Sequence, residues 1–187
     1  NAETKLLAPA APSLLKKFIH GGTFDGSHYI TKSFTNAAHT SYDIELFAKL
    51  TSTGGSRTLV DLRPSSSHGL VIWRDSTLFQ IKHNSNTIDI ENFMTIDEWI
   101  KWRFVWDGVD IKVYKNDIIA TTTAETSALP NTSQISYGNR NFSSAINLWN
   151  GTISGIKTVL DGVLVIDEPL NGTLNNATLT GNASTFW

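Results

Sequence analysis

The 187-residue sequence predicts an all-β fold, an antiparallel sandwich of two sheets. Three observations predict it. Turn-forming residues recur at roughly 8–12-residue intervals, apolar residues between them alternate with period two, and no long segment repeats at 3.6. All-β sandwiches of roughly 200 residues commonly form one domain. That length buries a core without staples.

Residues 1–20 read as a lead-in rather than part of the sandwich, with the rest, 21–187, as one unit. Ala8-Pro9-Ala10-Ala11-Pro12 is an extended spacer, because proline fixes φ and disfavours helix before it. Ser13 to His20 could form a short helical turn carrying Leu14, Leu15 and Phe18. From Gly21 on, strands and turns follow. Asp43 to Leu50 puts Ile44, Leu46, Ala48 and Leu50 on one face. Gly54-Gly55-Ser56 closes it, and Arg57 to Leu62 follows with Thr58, Val60 and Leu62 together. Pro64-Ser65-Ser66-Ser67 is a loop. Leu70 to Arg74 is a strand turning at Asp75-Ser76, and Leu78 to Lys82 and Thr87 to Ile90 are two more.

Trp99 to Asn116 is the clearest stretch. Trp102, Phe104 and Trp106 share one face; Lys101, Arg103 and Val105 share the other. Asp107-Gly108 supplies a tight turn, since glycine tolerates φ > 0 and Asp can bond its own backbone. Asp110 to Tyr114 returns, and Lys115-Asn116-Asp117 turns into Ile118 to Thr122. Gln134 to Tyr137, Leu148 to Lys157 and Val163 to Ile166 complete the strands, with a C-terminal tail from about Asp167.

Charged residues make up 17% of the chain, below the usual ~25%, and Ser, Thr and Asn fill the gap. That balance suits an extracellular or particle-surface β protein. The net charge of −2 gives no argument for nucleic acid or an anionic membrane. No apolar run approaches the ~20 residues of a membrane span, and Leu6 to Ala11 is too short for a signal-peptide core. There is no cysteine, hence no disulfide framework, thiolate metal site or Cys nucleophile. Six sequons (Asn131, Asn141, Asn150, Asn171, Asn176, Asn182) are mostly what an Asn/Thr/Ser-rich chain contains by chance.

Several motifs, in order, resemble the concanavalin A-like and laminin-G-like jelly-roll domains. Phe24-Asp25-Gly26-Ser27-His28-Tyr29-Ile30 is similar to the family's opening strand, and Tyr42 to Leu50 to its second. Glu98 to Gly108 resembles its block of Trp, alternating strand and Asp-Gly. Ile111 to Asp117 resembles the next strand and turn, with Asp117 where glycine is usual. Ile135 to Arg140 and Trp149 to Ile156 resemble the last two motifs. The resemblance covers about residues 22–166 and implies a two-sheet antiparallel jelly-roll sandwich. The family hosts lectins, adhesins, glycosidases and lyases, so fold is not function. The tail Asp167 to Trp187 more loosely resembles the ends of phage tail-fibre proteins.

Glycosidases need paired carboxylates in one cleft, about 5–5.5 Å apart in retaining enzymes. The resemblance implies that glucanases of this fold set them on one strand as Glu-x-Asp-x-Glu or Glu-x-Asp-x-x-Glu. No such run occurs. Asp43-Ile44-Glu45 has the spacing but lacks a third carboxylate, and Asp89-Ile90-Glu91 and Asp97-Glu98 read as solvated strand ends. The Tyr, His, Arg and Gln of a lyase do not cluster. His20, His28, His39, His68 and His83 lack metal-ligand spacing, and no nucleophile elbow, phosphate loop or dinucleotide fingerprint appears.

Binding is the remaining reading. Sugars stack on aromatic faces and take hydrogen bonds from Asn, Asp and Arg. Of the six Trp, Trp99, Trp102, Trp106 and Trp149 read as packed, and Trp73, before Arg74-Asp75, as a surface candidate. Arg57, Asp61 and Arg63 alternate on one strand face, and Arg74, Lys101 and Arg103 lie on the polar faces of theirs. If those strands were neighbours they would form a mildly basic face suited to an acidic glycan. An ordinary solvated face is the plainer reading. Tyr137-Gly138-Asn139-Arg140-Asn141 is a second candidate, a polar aromatic loop. The carbohydrate-binding candidates are therefore Arg63, Trp73, Arg74, Arg103, Tyr137, Asn139 and Arg140. No cofactor is required. Some family members hold a rim calcium, for which Asp25, Asp107 and Asp161 are the candidate ligands, two of them explained by Gly turns.

The expected function is a non-catalytic carbohydrate-binding or adhesion module on an extracellular or virion surface. The alternatives are a structural domain, whose lead-in and Phe186-Trp187 tail dock on neighbouring subunits, and a polysaccharide-degrading enzyme. Expected partners are a surface glycan and neighbouring subunits, homo-oligomers included.

Overall fold

A computed structural model describes residues 21–52, 55–64, 68–75, 78–90, 95–139, 149–170, 172–181 and 183–187. The expectations for the 1–20 lead-in, the Ser65–Ser67 loop and Arg140-Asn141 fall outside the described residues, as does part of the turns at 54 and 76.

In chain order the strands are β1 (Gly22–Asp25), β2 (Tyr29–His39), β3 (Tyr42–Leu50), β4 (Arg57–Leu62), β5 (Leu70–Asp75), β6 (Leu78–His83) and β7 (Asn86–Ile90). They continue with β8 (Trp99–Trp106), β9 (Asp110–Lys115), β10 (Ile118–Ala124), β11 (Leu129–Tyr137), β12 (Asn150–Leu160), β13 (Val163–Glu168) and β14 (Thr178–Thr180), then one helical turn, α1 (Ala183–Phe186). The first sheet runs β1-β12-β3-β8-β9-β10, with β13 also on β12. The second runs β14-β2-β11-β4-β5-β6-β7. Every named strand pair is antiparallel.

On β3 and β8 the inward faces are those the alternation predicts, whereas a register shift between Thr58 and Val60 breaks the predicted Thr58-Val60-Leu62 face of β4. Ile44, Leu46, Ala48 and Leu50 of β3 and Trp102, Phe104 and Trp106 of β8 are buried. Phe79 of the opposite sheet stacks on Trp102 with centroids 5.3 Å apart, so the two inner faces interdigitate. The Trp106 indole N–H donates to the Glu125 carbonyl at 2.6 Å, which satisfies its polar atom in the core. The Asp107-Gly108 turn forms as expected: the Asp107 carboxylate accepts the Val109 and Asp110 amides at 3.0 and 2.9 Å. Asn116 and Asp117 both take positive φ, 52° and 66°. Asp117 thus adopts the left-handed backbone that glycine takes more easily.

Three elements differ from expectation. Phe24 to Ile30 is not one strand: β1 and β2 lie in different sheets, joined by a turn in which Asp25 accepts the Ser27 amide at 2.9 Å. Next, β11 begins at Leu129, five residues before Gln134. Pro130 masked this start, since proline is depleted in strands and sits near their ends. Finally, the tail folds back on the sandwich. Its β14 pairs with β2, and buried Glu168 accepts the amides of Asn176 and Ala177 at 2.6 and 2.7 Å. Phe186 is buried 5.1 Å from the Phe24 ring, in space that a side chain on Gly22 would occupy. Phe186 therefore docks on its own chain, correcting the expectation that it docks on a neighbour.

Candidate functional site

The fold brings two of the seven predicted residues together on the outer face of the second sheet. Strand β4 lies between β11 and β5, so Asp61 sits opposite both Ser136 and Val71. Alternation made Asp61 and Arg63 look like a solvated face, yet both are buried. Arg63 Nε donates to Asp61 Oδ1 at 3.0 Å and Nη2 to Oδ2 at 2.6 Å, a bidentate pair. The Arg63 amide also donates to Oδ1, at 3.0 Å. Gly69 packs against this pair: a Cβ there would lie 2.8 Å from Arg63 Cα, and its φ of +113° already favours glycine.

From the pair a row extends across the sheet. The Arg63 guanidinium lies 5.8 Å from the Trp73 ring centroid. Trp73 Nε1 donates to Gln80 Oε1 at 2.6 Å, and Gln80 Nε2 donates to Asp89 Oδ1 at 2.7 Å. These contacts follow the register, in which Trp73 faces Gln80 and Gln80 faces Asp89. Beside Arg63 opens a cleft of about 270 Å³, lined by Asn36, Arg63, Pro64 and residues 131–134. Its lining offers three amide side chains (Asn36, Asn131, Gln134) and two hydroxyls (Thr132, Ser133). These groups donate and accept, as sugar hydroxyls do.

The other described candidates do not join Arg63 and Trp73. Arg74 is next to Trp73 and so points to the opposite side of β5. Burial, and then Arg57 directly across the ladder, lower its pKa. Arg103 lies on the outer face of the other sheet, so the predicted joint basic face of Arg57, Arg63, Arg74, Lys101 and Arg103 does not exist. There, Arg103 Nε and Nη2 donate to Asp43 at 2.9 and 2.7 Å, and Asp43 raises the arginine's pKa. A smaller cleft of about 130 Å³ adjoins it, lined by Asp43, Glu45, Arg103, Lys157 and Val159. Tyr137 is fully buried, its hydroxyl hydrogen-bonded to Thr158, and burial pushes its phenol pKa up. It cannot present a ring to a sugar, which corrects that assignment. Asn139 is buried as well, its Oδ1 without a hydrogen-bond partner, and Arg140 lies outside the described residues.

The three candidate calcium ligands are engaged with hydrogen-bond donors. Asp25 accepts from Ser27, Asp107 from Val109 and Asp110, and Asp161 from the Thr40 and Ser41 amides at 2.7 and 3.0 Å. Among the described residues no three His, Cys, Asp or Glu groups converge, and no helix is long and apolar enough to cross a membrane. Sequence reasoning missed Asn36, Asn131, Gln134 and Gln80. The signal available was the Asn131–Ser133 alternation leading into Ile135, which Pro130 obscured.

No protein-family model and no curated protein sequence matches the chain. Solved structures do. A carbohydrate-binding protein from Bacteroides ovatus, so described provisionally, matches at TM-score 0.69 and 12% identity over 86% of this chain and 58% of that one. Domains LG4-5 of the mouse laminin alpha1 chain match at 0.61 and 11%, over 86% and 46%. Domain 4 of an extracellular arabinanase from Geobacillus stearothermophilus, in complex with arabinotriose, matches at 0.57 and 17%, over 76% and 70%. At such identities the likeness concerns the fold: the chain is an antiparallel two-sheet jelly roll of the laminin-G-like, concanavalin A-like kind. It spans little more than half of the first of these chains and less than half of the second.

Proposed function

We propose that the chain is a non-catalytic carbohydrate-binding or adhesion module whose ligand docks in the cleft beside Arg63. The carrying observation is that cleft: amide and hydroxyl side chains beside the buried, hydrogen-bonded Asp61–Arg63 pair. Convergent amide and hydroxyl groups of this kind suit a hydroxyl-rich ligand. The carbohydrate-binding protein and the arabinotriose complex among the structural likenesses point the same way. A polysaccharide-degrading activity is less well supported. The acids of the other cleft, Asp43 and Glu45, are tied to Arg103 and Lys101 at 2.7 and 3.2 Å. The finer part of the proposal puts the module on an extracellular assembly, a tail fibre or other virion surface included. That part rests on composition and on the resemblance of the tail.

Affinity electrophoresis through a panel of soluble polysaccharides, paired with a reducing-end assay, tests the reading. The expected outcome is retardation by at least one polysaccharide with no new reducing ends. Retardation by none, with the fold intact, would favour a structural role. That second reading draws on Ile118 and Ile119, exposed on the edge strand β10.

A further inference from the structure

We infer that the cleft beside Arg63 selects neutral glycans over acidic ones. The inference rests on the proposed carbohydrate-binding role and adds the ligand class. Among the described residues, Arg63 is the single charged one in the cleft lining. Asp61 already accepts from its Nε and Nη2, and both side chains are buried. Recruiting Arg63 to a sugar carboxylate would leave Asp61 as a buried charge without its counter-ion, which the interior strongly disfavours. An anion arriving with the pair intact meets a group of no net charge. Among the described residues, Lys82 of β6 is a further cation on this face; it lies two strands from β4 and does not line the cleft. Arg74 points to the other side of β5.

What lines the cleft instead is neutral. The amides of Asn36, Asn131 and Gln134 each carry two donors and an acceptor, and the Ser133 hydroxyl does both, while buried Thr132 donates its hydroxyl to the Gln134 carbonyl at 3.3 Å. That set matches sugar hydroxyls, which need a donor and an acceptor at each position. Among the described residues no aromatic ring lines the cleft, so stacking adds little and single-site dissociation constants of the order of 1 mM are expected.

The test is an NMR titration of the full chain. One set of ligands is neutral (arabinotriose, maltotriose, mannotriose) and the other acidic (trigalacturonate, sialyllactose). Each is run at ~50 and ~500 mM NaCl, which spans weak to strong screening. At least one neutral trisaccharide should shift the amides of residues 131–134, with a dissociation constant changing less than about twofold with salt. Gln134→Ala, at a half-buried position, and Asn36→Ala, on the surface, should each weaken that binding about fivefold, the loss of one modest hydrogen bond. If an acidic sugar binds there more tightly and is released by salt, the neutral class is wrong and the carbohydrate-binding role survives. If neutral sugars bind but both variants behave as the parent, the cleft is wrong. If no sugar of either set perturbs the spectrum, the carbohydrate-binding role itself fails.

Discussion

The molecule contains the same ion pair twice, once on each outer sheet face. Asp61–Arg63 and Asp43–Arg103 are both bidentate, at 2.6 and 2.7 Å for their shorter contacts. Their surroundings differ. The first pair has side chains 0% and 1% exposed, the second 34% and 43%. Identical chemistry therefore does different work. The buried pair is closed off from solvent, and the half-exposed pair is part of a solvated charge ladder with Glu45, Lys101 and Asp117.

Removing one partner separates the two pairs most sharply. Arg63→Ala should destabilise the protein by about 3–5 kcal/mol, because it strands the Asp61 carboxylate in the interior. Denaturant unfolding followed by tryptophan fluorescence measures this. The double change Asp61→Leu with Arg63→Met should recover most of the loss. An Arg63→Ala loss below about 1 kcal/mol would mean water reaches the pair. By contrast, Arg103→Ala should cost about 0–1 kcal/mol, and 1 M salt should shrink the difference further. A loss as large as that of Arg63→Ala would erase the comparison.

The smallest effect concerns acid. Hydrogen bonds from Ser27 hold the Asp25 carboxyl at about 2, and those from Asp110, Lys112 and Val109 hold Asp107 at about 2. A carboxyl depressed in the folded state stabilises above its unfolded value of ~3.9, and that stabilisation is lost as pH falls toward the folded value. Stability should thus be flat in these groups from about pH 5 to 8 and decline from about pH 4 to 2. Carboxyl-carbon NMR titration of the two residues checks it. Midpoints near 4 would show that the turns do not hold them.

How much of this was legible beforehand follows from where each signal lives. Trp102, Phe104 and Trp106 signalled an inward face because alternation is local, and the strand has one wet side. Strand β4 misled for the converse reason: Thr58 to Leu62 are all buried, so it has no wet side, and Asp61 read as solvated. Phe186 was illegible because its partners, Phe24 and Gly22, lie at the far end of the chain. The cleft was half legible. Arg63 stood out as a residue type, but Asn36, Asn131 and Gln134 come beside it only through the pairing of β11 with β2 and β4. Tyr137 looked like a binding residue from its polar loop, whereas strand parity with Ile135 turns it into the core.

The central claim is that glycan recognition belongs to the face with the buried pair and not to the face with the exposed one. The direct measurement is affinity for a bound neutral oligosaccharide in two variants side by side. Gln134→Ala alters the cleft beside Arg63, and Lys157→Ala alters the cleft beside Arg103. Affinity about fivefold weaker in Gln134→Ala and unchanged in Lys157→Ala is the result predicted. Weakening in Lys157→Ala with Gln134→Ala unaffected would contradict it.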